Sequence, residues 1–363
     1  MLKKAVAWFL VGVGLTACLS CGKTTSHYLY AAIPTASEIL VYREDPNSGV
    51  LTPLATSPFT AGQGVQSIVI HPSGQFLYAA NSSLDNISWF TIDSQGALTE
   101  HTPRTNAGTT PAVLVMDPAG SYLYVANAES NDIWVFSISS SGALAAVGAP
   151  TPLGLTPLNM ALSKGGFLYV TGAGSPGYVE VFSVSAGVLT LIQVQQAGTN
   201  PYGLAIDPKG LYLYTANFGD NSISEFSIAS STSPEPGGLA ELPGSPIGVP
   251  NGTGNASPVP IALLVDNSGQ YLYVANEGSA NLSAYAVGSG GGLTLLSSNY
   301  SIATGAQPSL IASDPSGQYL FVANQKSGST AIESFSLATS DGALSEVGSY
   351  SVPATAASIA VAP

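Results

Sequence analysis

The chain has 363 residues, with 21 acidic and eight basic side chains and a formal net charge of −13. That balance leaves no basic stripe to displace counterions from a polyanion, so nucleic acid is excluded as a partner. Phosphorylated substrates are disfavoured as well, because binding them normally recruits Arg or Lys.

In chain order, residues 1–17 read as a signal peptide: Lys3 and Lys4 give a basic start, residues 5–15 an apolar run, and small residues follow. The run is too short to span a bilayer as a mature helix. Its end, Leu15-Thr16-Ala17-Cys18, resembles the lipobox of bacterial lipoproteins. The resemblance implies cleavage before Cys18, lipidation of its thiol, and an exported, membrane-anchored protein; Leu19 in place of an aspartate implies the outer membrane of the envelope. Several acyl chains anchor stably, since each buried methylene adds about 0.8 kcal/mol. Residues 18–27 then form a tether. Loss of Lys3 and Lys4 leaves six basic residues (Lys23, Arg43, Arg104, Lys164, Lys209, Lys326) against 21 acidic ones, a net charge of −15. With Cys18 lipidated, Cys21 is the one remaining thiol, and no disulfide framework can form.

From residue 28 onward one segment recurs. Its apolar runs begin at Tyr28, Phe76, Tyr122, Phe167, Tyr212, Tyr271 and Tyr319, spaced 48, 46, 45, 45, 59 and 48 residues apart. Such a period with several short strands per unit marks propeller blades. The copy around Tyr122 carries four apolar runs, at 112–116, 122–126, 133–138 and 143–147. Four short strands joined by tight turns make an antiparallel meander. Turn chemistry supports this: Asp117-Pro118-Ala119-Gly120 presets a turn, and it recurs at His71, Asp207, Asp266 and Asp314, with a degenerate copy at Ser163. Asp or Asn precedes the third strand at Asp85-Asn86, Asn131-Asp132 and Asp220-Asn221, and the third turn ends at Gly96, Gly142, Gly187, Gly238, Gly292 and Gly342.

The ends fit together. The chain starts inside a unit, at a second strand, and stops at a first strand. We therefore expect an all-β, seven-bladed β-propeller over residues 28–363, built of four-stranded antiparallel blades. The ring closes where the C-terminal strand 358–361 joins the N-terminal blade made by 28–32, 38–42 and 51–54, which removes exposed edges. The surplus of the fifth unit falls at 230–236 and 243–260. The second of these loops would overhang the channel mouth, as a lid or, as we read it, a surface insertion.

These repeats, with D-P-x-G-x-Y-L-Y-V-A-N at their centre, resemble the YVTN-type repeat of the seven-bladed lactonase-like β-propellers, a group that includes propeller-fold 6-phosphogluconolactonases. The resemblance implies a site at the channel mouth that uses His and Arg near the start of first strands and a Glu after a second strand. Here the matching segments, Gly64 to Gln66, Thr110 to Ala112, Pro157 to Asn159, Asn200 to Tyr202, Val259 to Ile261 and Gln307 to Ser309, offer no His or Arg. Glu277, directly after Asn276, fills the carboxylate position, and Glu129 lies one place further along in its own unit. Glu277 is thus the candidate catalytic group. Tyr202, Phe218, Asn159, Gln66, Gln307 and Glu129 are the candidate ligand contacts.

Other constellations point away from chemistry. His27 falls in the tether, His71 in a turn opposite the mouth and His101 in a fourth strand, so no metal or cofactor is expected. Asp85, Asp132, Asp220 and Glu277 could ring a Ca²⁺, but turn formation already accounts for the aspartates. Asn81, Asn127, Asn217, Asn276 and Asn324 are expected to tie their turns to neighbouring blades rather than to line a polar funnel. The recurring Tyr122 and Tyr124 positions read as packing between blades. Three functions remain open: first, an envelope-anchored module that binds a protein segment or a neutral small molecule or glycan without catalysis; second, a lactonase-like hydrolase of an uncharged lactone; third, a purely structural envelope component.

Overall fold

The structure, a computed structural model, describes residues 27–301, 307–325 and 331–362. The leader, Cys18, most of the tether and Lys326 lie outside these residues. Seven antiparallel sheets follow one another around a ring. Their innermost strands are Ser358–Ala362, Val65–Ile70, Pro111–Met116, Pro157–Leu162, Pro201–Ile206, Pro260–Val265 and Pro308–Ser313, for blades 1 to 7. Each packs against the next, and that of blade 7 against that of blade 1. Among the described residues the one helical turn is the three-residue 3-10 segment Thr253–Asn255. No described helix is long and apolar enough to cross a membrane.

Closure occurs as the two chain ends require. Strand Ser358–Ala362 pairs antiparallel with His27–Ile33, in the register Tyr28 to Ala362 through Ala32 to Ser358. Ser358 also reaches sideways, its Oγ accepting the Ile68 N–H of blade 2 at 3.2 Å. The N-terminal strand begins at His27, one residue inside the expected tether.

Alternation of side chains across each strand puts one face of every blade against its neighbour, and the core is seven apolar layers between blades. Six of the seven second strands carry a fully buried tyrosine at the matching place, Tyr30, Tyr78, Tyr124, Tyr169, Tyr214 and Tyr273, and the seventh carries Phe321. Five of the hydroxyls latch onto the next blade: Tyr30 donates to Gly96 O (3.0 Å), Tyr78 to Gly142 O (2.7 Å), Tyr169 to Gly237 O (2.9 Å), Tyr214 to Gly291 O (2.7 Å) and Tyr273 to Gly342 O (2.9 Å), while that of Tyr124 has no partner among the described residues. Buried phenols need such partners. In blades 5 and 6 the latch glycines are Gly237 and Gly291, one place before the expected Gly238 and Gly292. Gly96 shows why glycine stands there: its φ is 79°, and a Cβ would collide with the Tyr28 ring.

Base turns behave as their sequences demand. Gly120 N donates to Asp117 O at 2.9 Å, and the carboxylate of Asp266 accepts the Gln270 and Tyr271 N–H groups at 2.8 Å each. The buried asparagines correct one expectation. Asn81 donates to Asn86 and Ser88, Asn217 to Ser222 and Ser224, and Asn324 to Glu333, all on the third strand of the same blade. They brace each blade internally, because the amide emerges at the tight turn where its own third strand is the nearest polar neighbour.

Blade 1 departs from the repeat. Its third strand, Glu38–Glu44, ends in Glu44, which pairs with His27 and is fully buried. Burial, reinforced by the charges of Asp314 and Asp45, pushes the Glu44 carboxyl up to about 8.

Candidate functional site

The mouth of the channel is made by a repeated irregularity. In blades 2 to 7 the register between innermost and second strands slips by one residue near the start of the innermost strand. The extra residues are Gln66, Ala112, Leu158, Tyr202, Ile261 and Ser309. Proline opens five of these six strands. It suits a strand's first position, where no ladder N–H is needed. A bulge directly after it re-aims one side chain out of the alternating pattern. In blade 1 the corresponding place, immediately before Ser358, is Ala357. The residue ahead of the proline is strained at Thr110, Asn200 and Val259, with φ of 58°, 49° and 49°. A β-branched residue with positive φ is uncommon and costs about 1–3 kcal/mol, which the surrounding ring holds in place.

Bulge residues Gln66, Tyr202, Ile261, Ser309 and Ala357 converge on a cavity of about 310 Å³, completed by Gln325, Leu310, Thr355 and the turn at Pro34 and Thr35. Glu277 is half-buried and is not itself a wall residue, but its carboxyl interacts with the side chain of Gln325 and its charge with Tyr202, both of which line the cavity. Burial raises the Glu277 carboxyl above the ordinary range, and the Gln325 bond offsets part of that rise. Tyr202 is raised too, by burial first and by the nearby charge of Glu277 second. Its phenol therefore stays protonated and able to donate.

The structure thus brings Tyr202, Gln66 and Glu277 to one place. Other candidates lie elsewhere. Asn159 is one residue past the bulge, and Leu158 occupies the mouth position; the Asn159 Oδ1 accepts the Met160 N–H at 2.8 Å. Gln307 is exposed ahead of Pro308, and its carbonyl accepts the Gln325 N–H at 2.9 Å. Glu129 accepts the Thr110 hydroxyl at 3.1 Å, and Phe218 is exposed outside the cavity wall. Gln325 is the group that sequence reading missed. It follows Asn324 as Glu277 follows Asn276, so the register that marked Glu277 also marks it.

Charge at the mouth is sparse. Asp85 accepts the Thr110 N–H at 2.8 Å and Asp220 the Thr199 N–H at 2.7 Å, so both hold loops between strands. Arg104 is bound to Glu100 at 2.7 Å, and Lys164 to the Pro208 carbonyl at 3.2 Å in the base turns, where Lys209 also lies. Arg43 lies next to Glu44 at the base end of its strand. Of the described cations, none lines the cavity. The long loop at 243–260 pairs with its own blade through Ile247–Gly248 and is tied down by Asn221, whose side chain accepts the Val259 N–H at 2.9 Å. Of its residues none lines the cavity. His71 contacts Gly120 O at 3.0 Å in the base turns, and His101 stacks on Trp89 at 3.9 Å between centroids.

A seven-bladed ring whose mouth cavity has no charged side chain among its described wall residues, with Glu277 beside Gln325 and Tyr202, defines the class. The chain belongs to the family described as Lactonase, 7-bladed beta-propeller, whose profile matches residues 23–158, 149–245 and 248–361. Among solved structures it is similar to a protein from Lactobacillus plantarum (22% identity, TM-score 0.79, covering 93% of this chain and 99% of that one). A candidate 6-phosphogluconolactonase from Bacteroides uniformis gives 18%, 0.78, 93% and 99%, and the periplasmic gluconolactonase of Pseudomonas aeruginosa 19%, 0.74, 93% and 99%. At these identities the likeness is one of fold. No curated protein sequence matches the chain.

Proposed function

We propose that the protein is a hydrolase of an uncharged lactone, acting at the channel mouth with Glu277 as general base. The observation that carries this reading is the meeting of Glu277, raised above the usual carboxylate range, with Tyr202 and Gln325 at a neutral cavity. A stronger base takes a proton from water more readily as water adds to the ester carbonyl. The Tyr202 hydroxyl and the side-chain amides of Gln66 and Gln325 supply N–H and O–H donors for the oxyanion. Collapse breaks the ring C–O bond, and the proton held by Glu277 passes to the departing ring oxygen, leaving a hydroxy acid. The family and its gluconolactonase-type neighbours support the class of substrate. A phosphorylated lactone fits poorly, because no described cation lines the cavity to meet a phosphate.

Steady hydrolysis of glucono-1,5-lactone, followed by pH-stat above its spontaneous rate, tests the reading. Glu277→Gln is expected to lower turnover by about 10²- to 10⁴-fold. Wild-type protein with no rate above background overturns it. The same absence of a cation at the cavity favours a second reading, a binding module for a neutral glycan or protein segment; calorimetric binding of the lactone without turnover would select it.

We further propose export and attachment to the bacterial envelope through lipidated Cys18, on the strength of the Leu15-Thr16-Ala17-Cys18 pattern. Cys18→Ser is expected to move the protein from the membrane to the soluble fraction, measured by fractionation and blotting.

A further inference from the structure

We propose that His27, Glu44 and Asp314 form a binding site for a divalent transition-metal ion of the zinc class, clamping the N-terminal strands of blade 1 to blade 7. One ligand atom from each of the three lies within 4.8 Å of the others. His27 Nδ1 and a Glu44 oxygen are 3.4 Å apart. That is close to the separation of two ligands on one tetrahedral ion with bonds of about 2.0–2.1 Å.

The second observation is what these groups lack. Glu44 is fully buried, and apart from the 3.4 Å ion-pair contact of one Glu44 oxygen with His27 Nδ1, neither Glu44 oxygen nor His27 Nδ1 has a hydrogen-bond partner among the described residues. Other buried carboxylates are each answered by a donor at one oxygen at least: Glu180 accepts the Gly154 N–H at 2.9 Å, Glu225 the Leu293 N–H at 2.7 Å and Glu333 the Asn324 amide at 2.8 Å. A buried carboxylate without such donors is costly unless a cation meets it.

Register makes the exception sharper. The place Glu44 takes in blade 1 is taken in blades 2 to 7 by Ile92, Ile138, Val184, Ile228, Val287 and Leu337. Packing between blades therefore asks for an aliphatic side chain there. Glu44 serves the packing badly and serves a cation well.

Asp314 completes the set from the base turn of blade 7. Its oxygens already accept the Tyr319 N–H at 2.8 Å and the Ser316 N–H at 2.9 Å. The Ser316 hydroxyl donates to the same oxygen as the Ser316 N–H, so the oxygen that accepts Tyr319 is the one that keeps a lone pair for an ion, and these bonds fix the carboxylate's orientation as outer-shell partners do for metal ligands. One imidazole and two carboxylates neutralise a divalent ion. A nitrogen ligand and a low coordination number favour zinc-like ions over calcium. The His27 side chain is 12% exposed, which leaves a path for the ion and a fourth place for water.

The test is titration of ZnCl₂ into chelator-stripped protein, free of any histidine tag, in a Cys18→Ser, Cys21→Ser background so that no thiol competes. Calorimetry is expected to show one ion per chain, and thermal unfolding a midpoint that rises with zinc and saturates. Glu44→Gln and His27→Gln should each weaken binding by at least tenfold and remove the rise; Gln75 stands at the His27 position in blade 2, so the second variant keeps the fold. Cobalt should give the visible bands of a four-coordinate site, absent in His27→Gln. No saturable binding, binding unchanged in His27→Gln, or a midpoint set by pH and indifferent to zinc overturns the proposal. A lactone turnover unaffected by zinc leaves it standing, since the site lies at the base and not at the mouth.

Discussion

Blades 2 to 7 are each a continuous run of four strands, whereas blade 1 is assembled from both chain ends. In the six continuous blades the innermost strand reaches its partner through a tight base turn. In blade 1 Tyr28 must find Ala362. Closing a loop of that length costs about 3 kcal/mol more than closing a ten-residue hairpin, at about 0.6 kcal/mol per doubling. The seam beside it also lacks an ordinary device: Phe321 stands where five other blades place a latching tyrosine, and it has no hydroxyl to offer the Gly49 turn, against which Tyr319 packs. Glu44, His27 and Asp314 occupy that same seam. The junction that must be closed across the whole chain is thus also the one that holds a fully buried carboxylate with no hydrogen-bond donor among the described residues.

The largest effect should follow from removing the closing strand. A chain ending before Ser358 is expected to lose cooperative unfolding altogether, a loss on the order of the whole stability of about 5–15 kcal/mol, seen as a broad or absent thermal transition by circular dichroism. If the shortened chain melts as sharply as the full one, blade 1 does not depend on its C-terminal strand.

A smaller effect distinguishes the closing seam from an ordinary one, between blades 5 and 6, where the buried Glu225 of blade 5 accepts the Leu293 N–H of blade 6. Burial raises Glu225, with the Leu293 N–H offsetting part of the rise. The folded state then holds the proton more tightly than the unfolded chain. Its contribution to stability is complete below the unfolded carboxylate range and is lost as pH rises through the raised value, at no more than about 1.4 kcal/mol per pH unit. Glu225→Gln should flatten that part of the urea-midpoint profile between pH 4 and 8. An unchanged slope would show that Glu225 does not titrate in that window.

The smallest effects concern the latches. Tyr78→Phe removes the hydroxyl that reaches Gly142 and should cost about 0.5–1.5 kcal/mol by urea unfolding. Phe321→Tyr offers the closing seam the missing hydroxyl and should gain a similar amount. Opposite signs at these two sites would sharpen the contrast between the seams; equal losses would remove it.

The Pro-Gly turns, the period-two strands and the aromatic repeat were legible because they are short-range: a residue's own dihedral limits and its neighbours two places away decide them. Glu277 was legible for the same reason, by its place directly after a repeated Asn. Leu158 was not, because a bulge shifts which residue faces the channel by one, and Asn159 then falls on the wrong side. Nor was the bracing of each asparagine against its own third strand, which turn geometry decides after folding. Gln325 and the residues at 355–357 meet Tyr202 only once the ring is shut.

What the sequence determined by itself was the number of blades, the pairing of its two ends and the acidic, cation-poor character of the surface, since repetition and composition carry these without reference to distance. Only the tertiary structure decided that Glu44, which reads as an ordinary charge at the end of a strand, lies buried against His27 and Asp314. Those three residues are 17 and 270 positions apart, and nothing local links them. Contact between such positions arises when closing the ring forces blade 7 against blade 1, and burial then gives an otherwise solvated carboxylate its meaning.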